Sequence, residues 1–354
     1  MKTLTITLHD SYNCGSSLQA YALQHFLLKN NIENEIINYC PEYLKKDKIS
    51  LKSIIKKIIY YPYMKKRVKN FEEFRDKYLK LTEFKCSEYS ELKKHKFEAD
   101  CFIAGSDQLW NTMYPCGNDP AYYLDFAEGK KITYAVSMGR EIIPNDNIEL
   151  IKKYSKDDFK WLSVREKSAI EQIKPIFNCD IEYVCDPVLL NNINDYKEIE
   201  SNRLIDEPYI FVYVAQDIDE NELQKIVTSA EQKYNAKVVF SGTYKKRCKC
   251  HYHIREASPS DFLSLIHHAS CVISNSFHAT MFSLIYKKQF LAVLPKKNGE
   301  RITSILQLVG LEKNIVGDTD KINVSMIEDN EYIRVYEKLK DFQKHSQEQL
   351  LSKI

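Results

Sequence analysis

Short apolar, β-branched runs recur along this chain, and nearly all of them close on Gly, Ser, Asp or Pro just before a helical stretch begins. TLTITL (3–8), EIINY (35–39), ADCFIAGSD (99–107), KKITYAVSMG (130–139), WLSVREKS (161–168) and IEYVCDP (181–187) form a first series. PYIFVYVAQ (208–216), AKVVFSG (236–242), CVISNS (271–276) and QFLAVLP (289–295) form a second. Continuous apolar runs of this length are strands buried on both faces, the signature of a parallel sheet covered by helices. The polar residues collected where each run stops would lie at the carboxyl ends of the strands, where open α/β sheets take their ligands. Between the two series, residues 191–207 (NNINDYKEIESNRLIDE) lose all periodicity. The expectation is therefore an α/β chain of two doubly wound domains, 1–195 and 205–325, followed by a helical tail over 326–354 that returns to the first domain.

Several helices can be placed from their ends. In SLQAYALQHFLLKN, Leu18, Tyr21, Ala22, Phe26 and Leu28 fall near one helical face. In SPSDFLSLIHHA, Ser258 is a natural N-cap, Pro259 suits the first turn and Asp261 favours the helix dipole. Further helices are expected over Asp219 to Tyr234 and in FHATMFSLIYKK (277–288).

Composition narrows the function. Of 354 residues, 44% are hydrophobic and 28% charged, enough to build two cores. Lys plus Arg (51) nearly balances Asp plus Glu (49), so no global field favours nucleic acid. Ten cysteines are scattered rather than clustered, and MKTLTITLHDSYN lacks the apolar core of a secretion signal, which points to the reducing cytoplasm. No apolar run approaches the roughly 18–20 residues of a membrane span.

Chemistry-bearing residues gather at the expected strand ends. In SNSFHATMFSL (274–284), His278 opens a helix directly after a strand; its alternatives are a proton-transfer group or a capping or core histidine. LPKKNGERITSIL places Lys296, Lys297 and Arg301 around Gly299 at another strand exit, suited to phosphate or carboxylate, or simply to solvent. Arg165 follows its strand directly and either faces a ligand or pairs with Glu166. The remaining strand-end loops are HDSYNCGSS (with His9, Asp10, Asn13, Gly15, Ser16), AGSDQLWN (with Ser106, Asp107) and YAVSMG (with Ser137). None is a GxGxxG or GxxxxGK[ST] loop, which argues against a nucleotide cofactor or a kinase. RCKCHYHIR contains Cys248, Cys250, His251 and His253, but its spacing is not that of zinc ligands and no second pair follows, so it reads as an exposed loop and no metal is expected. Residues 44–70 hold ten Lys or Arg against the single acid Asp47, interleaved with Ile and Tyr. That is either a solvated helix with a core face or a surface for peripheral contact with an anionic membrane.

The order of these motifs resembles the polysaccharide pyruvyl transferase family. YNCGSSLQAYALQHFL, AGSDQLWN, YAVSMG, SVRE, CDPVLL, SNSFHATMFSL and NGERITSIL carry the resemblance over most of the chain. It implies two Rossmann-like domains in a variant of the glycosyltransferase B architecture, with the active site in the cleft between them. It also implies transfer of a pyruvyl group from phosphoenolpyruvate to two hydroxyls of a sugar, giving a cyclic ketal and phosphate, with no cofactor beyond the donor substrate. By motif, His278 would be the acid. Arg165, Lys297, Arg301 and Ser276 would bind the donor, and Asn13, Gly15, Ser16, Ser106, Asp107 and Ser137 would line the substrate site. The acceptor would be a glycan or lipid-linked saccharide in capsule or exopolysaccharide synthesis, met in the cytoplasm or at the inner membrane face. The chain departs from the family in one triplet: Ser276-Phe277-His278 stands where several members have Arg-Leu-His. Either Arg301, Lys296 or Arg140 supplies the missing charge, or the donor differs. A nucleotide-sugar glycosyltransferase and a non-catalytic glycan-binding relative are the alternatives.

Overall fold

The computed structural model describes residues 1–44, 51–156, 158–295, 299–316 and 327–354; for 51–59 only the backbone is described. The first sheet contains β1 (Lys2–Ile6), β2 (Glu33–Tyr39), β3 (Leu81–Cys86), β4 (Cys101–Asp107), β5 (Lys131–Val136), β6 (Phe159–Val164) and β7 (Ile181–Tyr183). Its order is β3-β2-β1-β4-β5-β6-β7, and every pairing is parallel. The second sheet contains β8 (Tyr209–Tyr213), β9 (Lys237–Ser241), β10 (Tyr252–Ile254), β11 (Cys271–Ser274), β12 (Phe290–Val293) and β13 (Ile315–Val316). Its order, β10-β9-β8-β11-β12-β13, repeats the doubly wound pattern, again wholly parallel. The short runs behave as expected of strands covered on both faces: β4, β5 and β8 are buried at every position.

Helices alternate with these strands: α1 (Cys14–Lys29), α2 (Leu51–Tyr78), α3 (Tyr89–Lys94), α4 (Asn145–Ser155), α5 (Lys167–Ile173), α6 (Ile193–Lys197), α7 (Glu220–Tyr234), α8 (Pro259–His267), α9 (Phe277–Ile285), α10 (Glu300–Val309) and α11 (Asp329–Lys353). Ser258 caps α8 in a reciprocal box with Asp261, as its sequence requires. In α1 nearly the whole first three turns are buried, whereas Leu28, expected on the core face, is 43% exposed in the last turn. Strands β3, β10 and β13, absent from the sequence reading, lie at or next to sheet edges, where a short alternating run or two to three residues suffice to add a ladder.

The chain divides into two compact units that are not simple halves. One comprises Met1–Lys48, Arg75–Asn191 and Asp341–Ile354; the other comprises Ile49–Phe74 and Asn192–Lys340. A division by sequence position alone therefore misses that most of α2 belongs with the second unit. The described side chains of α2 show why. Asn70 Nδ2 donates to the Glu256 carbonyl at 2.7 Å, Lys66 pairs with Glu256 at 3.1 Å, and Arg255 lies over the Tyr63 ring. The segment RCKCHYHIR, expected to be an exposed loop, instead ends in edge strand β10. Cys248 is buried, and burial pushes its thiol up to about 12. Apolar contact with the β9 layer outweighs the polar look of the segment, with Phe240 packed edge-on against the ring of His253. All ten cysteines are thiols, and no described helix is long and apolar enough to cross a membrane.

Candidate active site

In both sheets the strand order reverses beside the first strand of the unit, at β1/β4 and at β8/β11. A doubly wound sheet opens a crevice outside the carboxyl ends of its strands at such a switch point. Of the residues singled out by sequence, Asn13, Gly15, Ser16, Ser106, Asp107, Ser276 and His278 lie at or just after the ends of the strands at these two points, whereas Ser137 and Arg165 follow β5 and β6 and Arg301 lies on α10.

At the first, Asn13 is the N-cap of α1, its Oδ1 accepting from Gly15 N at 2.9 Å and Ser16 N at 3.2 Å. Gly15 thus sits in a helical first turn. Ser16 is buried and donates from Oγ to Asp107 Oδ2 at 2.6 Å, tying the loop after β1 to the end of β4. Asp107 has φ +82° and also accepts from Gln108 N at 2.8 Å. Ser106 is absorbed into the sheet. Its Oγ donates to the Ala135 carbonyl and its N–H to Gln19 Oε1. Ser137, after β5, donates to the Glu166 carboxylate and accepts from Gly139 N at 3.1 Å. Gly105 marks how tightly β4 and β5 approach: a Cβ there would stand 2.0 Å from the Tyr134 carbonyl oxygen.

Arg165 is 4% exposed and does not pair with Glu166. Its Nη1 donates to Asp186 Oδ2 at 2.5 Å, and its Nη2 lies 3.5 Å from Asp107 Oδ1. Successive side chains at a strand end point to opposite faces, so Glu166 turns toward Ser137 while Arg165 meets the acid that follows the neighbouring strand β7. Burial works against the guanidinium charge, but Asp186, Asp107 and Glu166 outweigh it and hold the group above its ordinary pKa.

At the second switch point, Asn275 clamps the loops after β8 and β11. Its Oδ1 accepts from Ala215 N at 2.8 Å and Gln216 N at 3.3 Å, and its Nδ2 donates to the Gln216 carbonyl at 2.9 Å. Ser276 is the N-cap of α9, accepting from Ala279 N at 3.4 Å, so the capping alternative belongs to Ser276 rather than His278. His278 lies in the first turn of α9, 7% exposed, with its ring edge-on to Phe277 at 5.4 Å. The Arg301 guanidinium, from α10 and 6% exposed, stands over the same Phe277 ring at 5.4 Å. A helix N-terminus, an imidazole and a buried guanidinium thus share one aromatic neighbour, an arrangement suited to holding an anion and delivering a proton to it. Arg140 belongs to the loop after β5 in the first unit, and Lys296 and Lys297 lie outside the described residues.

A profile of the polysaccharide pyruvyl transferase family matches residues 13–296. The chain belongs to that family. No curated protein matches the sequence. Among solved structures it is similar to the UDP-GlcNAc 2-epimerase of Methanocaldococcus jannaschii, at 14% identity over 95% of this chain and 92% of that one, with a TM-score of 0.54. It is also similar to the Neisseria meningitidis UDP-GlcNAc 2-epimerase bound to UDP-GlcNAc, at 13% identity over 99% and 100%, TM-score 0.51. Arabidopsis thaliana UGT89C1 complexed with UDP-L-rhamnose is similar at 10% identity over 99% and 98%, TM-score 0.53. At these identities the likeness is one of fold. The family member shares the glycosyltransferase B class of two parallel-sheet α/β domains, as its sequence implied. Sequence reasoning missed the roles of Asn275, Asp186 and Gln19. All three lie inside motifs already noticed, SNSFH, CDPVLL and YNCGSSLQAYALQHFL, but their partners come from loops and strands elsewhere in the chain.

Proposed function

We propose that the protein is a ketal pyruvyltransferase that moves a pyruvyl group from phosphoenolpyruvate to two hydroxyls of a sugar in a cell-surface polysaccharide precursor. The observation that carries this reading is the grouping of His278 and Arg301 around Phe277 at the switch point of the second sheet, in a chain of this family. His278 protonates the methylene carbon of the donor, leaving a cationic centre at C2. One sugar hydroxyl adds there and loses its proton to a base, the C2–O bond to phosphate breaks, and the second hydroxyl closes the ketal with loss of its own proton. Arg301 and the N-terminus of α9 hold the donor's phosphate or carboxylate, with Lys297 assigned beside them from its motif. Among the three candidates for the charge that Ser276 does not supply, Arg301 is favoured by its place over Phe277.

The first unit is assigned the acceptor. Asp107, held by Ser16, is proposed with Ser137 and Asn13 as a group of that unit that binds the sugar. Arg165, whose charge is opposed by two carboxylates, acts by placing Asp107 and Asp186, since a multiply charged anion is disfavoured beside a net negative cluster. The acceptor in this reading is a capsule or exopolysaccharide precursor, lipid-linked at the inner membrane face. The exposed side of α2, with Tyr61, Lys65 and Lys69, is the part proposed to meet anionic lipid. Failure to sediment with anionic vesicles at low salt removes that part alone.

Calorimetric titration with phosphoenolpyruvate and with a panel of nucleotide sugars tests the whole. Phosphoenolpyruvate should bind, and Arg301→Ala should weaken it by about tenfold or more, the scale of a lost charged hydrogen bond. His278→Ala should bind the donor yet lose about a hundred- to ten-thousandfold in kcat when phosphate release is followed with acceptor present. Binding of a nucleotide sugar in place of phosphoenolpyruvate would replace this reading by glycosyl transfer, and silence from both would leave a glycan-binding relative.

A further inference from the structure

A cluster in the second unit, on residues that the proposed reaction does not use, brings two imidazoles and a carboxylate together. Glu200 precedes β8, while His267 is the last residue of α8 and His268 its C-cap. His267 Nδ1 faces both Glu200 oxygens, at 2.9 and 3.0 Å, and His268 Nε2 lies 3.3 Å from Oε1. One donor atom from each of the three residues lies within 4.8 Å of the others. The Tyr286 hydroxyl donates to Glu200 Oε2 at 3.1 Å and fixes the carboxylate from behind. The His267 ring is stacked between His268 and Tyr286, with centroids 4.6 Å away on either side.

One nitrogen of each ring faces the same carboxylate, so three donor atoms of metal-ligating type gather in one place. We infer that Glu200, His267 and His268 form a binding site for a divalent late first-row metal ion, Zn²⁺ above all. In a tetrahedral site with bonds of about 2.0–2.2 Å the donors stand roughly 3.3–3.6 Å apart; His268 Nε2 already stands 3.3 Å from Glu200 Oε1, and His267 Nδ1, at 2.9 Å, would move outward by a few tenths of an ångström to admit the ion. Two nitrogens and a carboxylate suit Zn²⁺ and its neighbours, whereas Mg²⁺ and Ca²⁺ ask for oxygen throughout. Lys288 is turned away from the carboxylate, its Nζ donating to the His267 carbonyl at 2.8 Å. The imidazoles keep 27% and 30% of their side-chain surface, an entry path from solvent. The ion would staple the segment before β8 to the end of α8 and, through Tyr286, to α9.

The test is calorimetric titration of the metal-stripped full chain with ZnCl₂, with X-ray absorption of the loaded protein. One Zn²⁺ per chain, bound through nitrogen and oxygen without sulfur, is expected. His267→Ala and Glu200→Gln should each weaken binding by more than tenfold, and Tyr286→Phe, which removes only the outer-shell bond, by about tenfold. Cys248→Ser/Cys250→Ser should bind as the parent does, and MgCl₂ should give no heat. Sulfur in the coordination shell, loss of binding in the cysteine variant instead, or unchanged affinity in a folded His267→Ala would each overturn the inference. So would an absence of any zinc-dependent heat. None of these outcomes bears on the pyruvyl transfer reading, which is tested by donor binding.

Discussion

At the scale of single residues, the first unit is organised around charge that the backbone has already spent. Arg165 is buried between Asp186 and Asp107, and removing one partner of such a set strands the others in a poorly solvating interior. Arg165→Ala should lower unfolding stability by about 3–5 kcal/mol in denaturant titration. A loss below 1 kcal/mol would show that Asp107 and Asp186 find other partners. His9 gives a pH signature. It is buried beside the ion pair of Asp10 with Arg75, and burial, opposed by Asp10, holds its pKa below 6.5. The unfolded chain then binds a proton that the folded chain refuses. Stability from this residue is complete above about pH 6.5 and falls as pH drops from there toward the lowered folded value. Chemical unfolding between pH 7.5 and 5.5 should show the decline, and His9→Gln should flatten it.

At the scale of elements, the helix starts decide what the strand-end residues can do. Ser258, Ser276 and Asn13 are all N-caps, each satisfying backbone N–H groups that the helix leaves open. The Ser258 cap was legible from four consecutive residues because a cap is a local device, while its reciprocal bond with Asp261 is seen only in the structure. Asn13 and Ser276 are caps of the same local kind, set at strand exits. Ser276→Ala should cost about 1 kcal/mol of stability while leaving phosphoenolpyruvate affinity within about twofold. A large loss of donor affinity with unchanged stability would reverse that assignment. The edge strands show the opposite limit. Nothing in the two residues of β13 or the three of β10 signals a strand, because their stability comes from β12 and β9 beside them.

At the scale of the whole molecule, each unit is assembled from separate pieces of chain. The last helix divides between them: residues from Asp341 onward belong to the first unit. Within that unit Ser346 Oγ accepts from Cys185 N at 2.9 Å, Gln347 donates to the Leu190 carbonyl at 2.8 Å, and Phe342 stacks on Tyr183. Truncation after Lys340 removes these and the buried Leu350 together, leaving a backbone N–H and a carbonyl unpaired. It should lower the melting temperature of the first unit by several degrees or more, and a thermal unfolding scan with unaltered transitions would refute this. The sequence by itself determined two parallel α/β domains and most strand and helix positions, because periodicity, caps and strand-end residues act over a few neighbours. Only the tertiary structure decided that Arg165 answers to Asp186 and Asp107, that Arg301 joins His278 across Phe277, and that Ile49–Phe74 packs with the second unit. Those choices depend on which strand ends the fold brings side by side, and that is a property of sheet order rather than of any local run of residues.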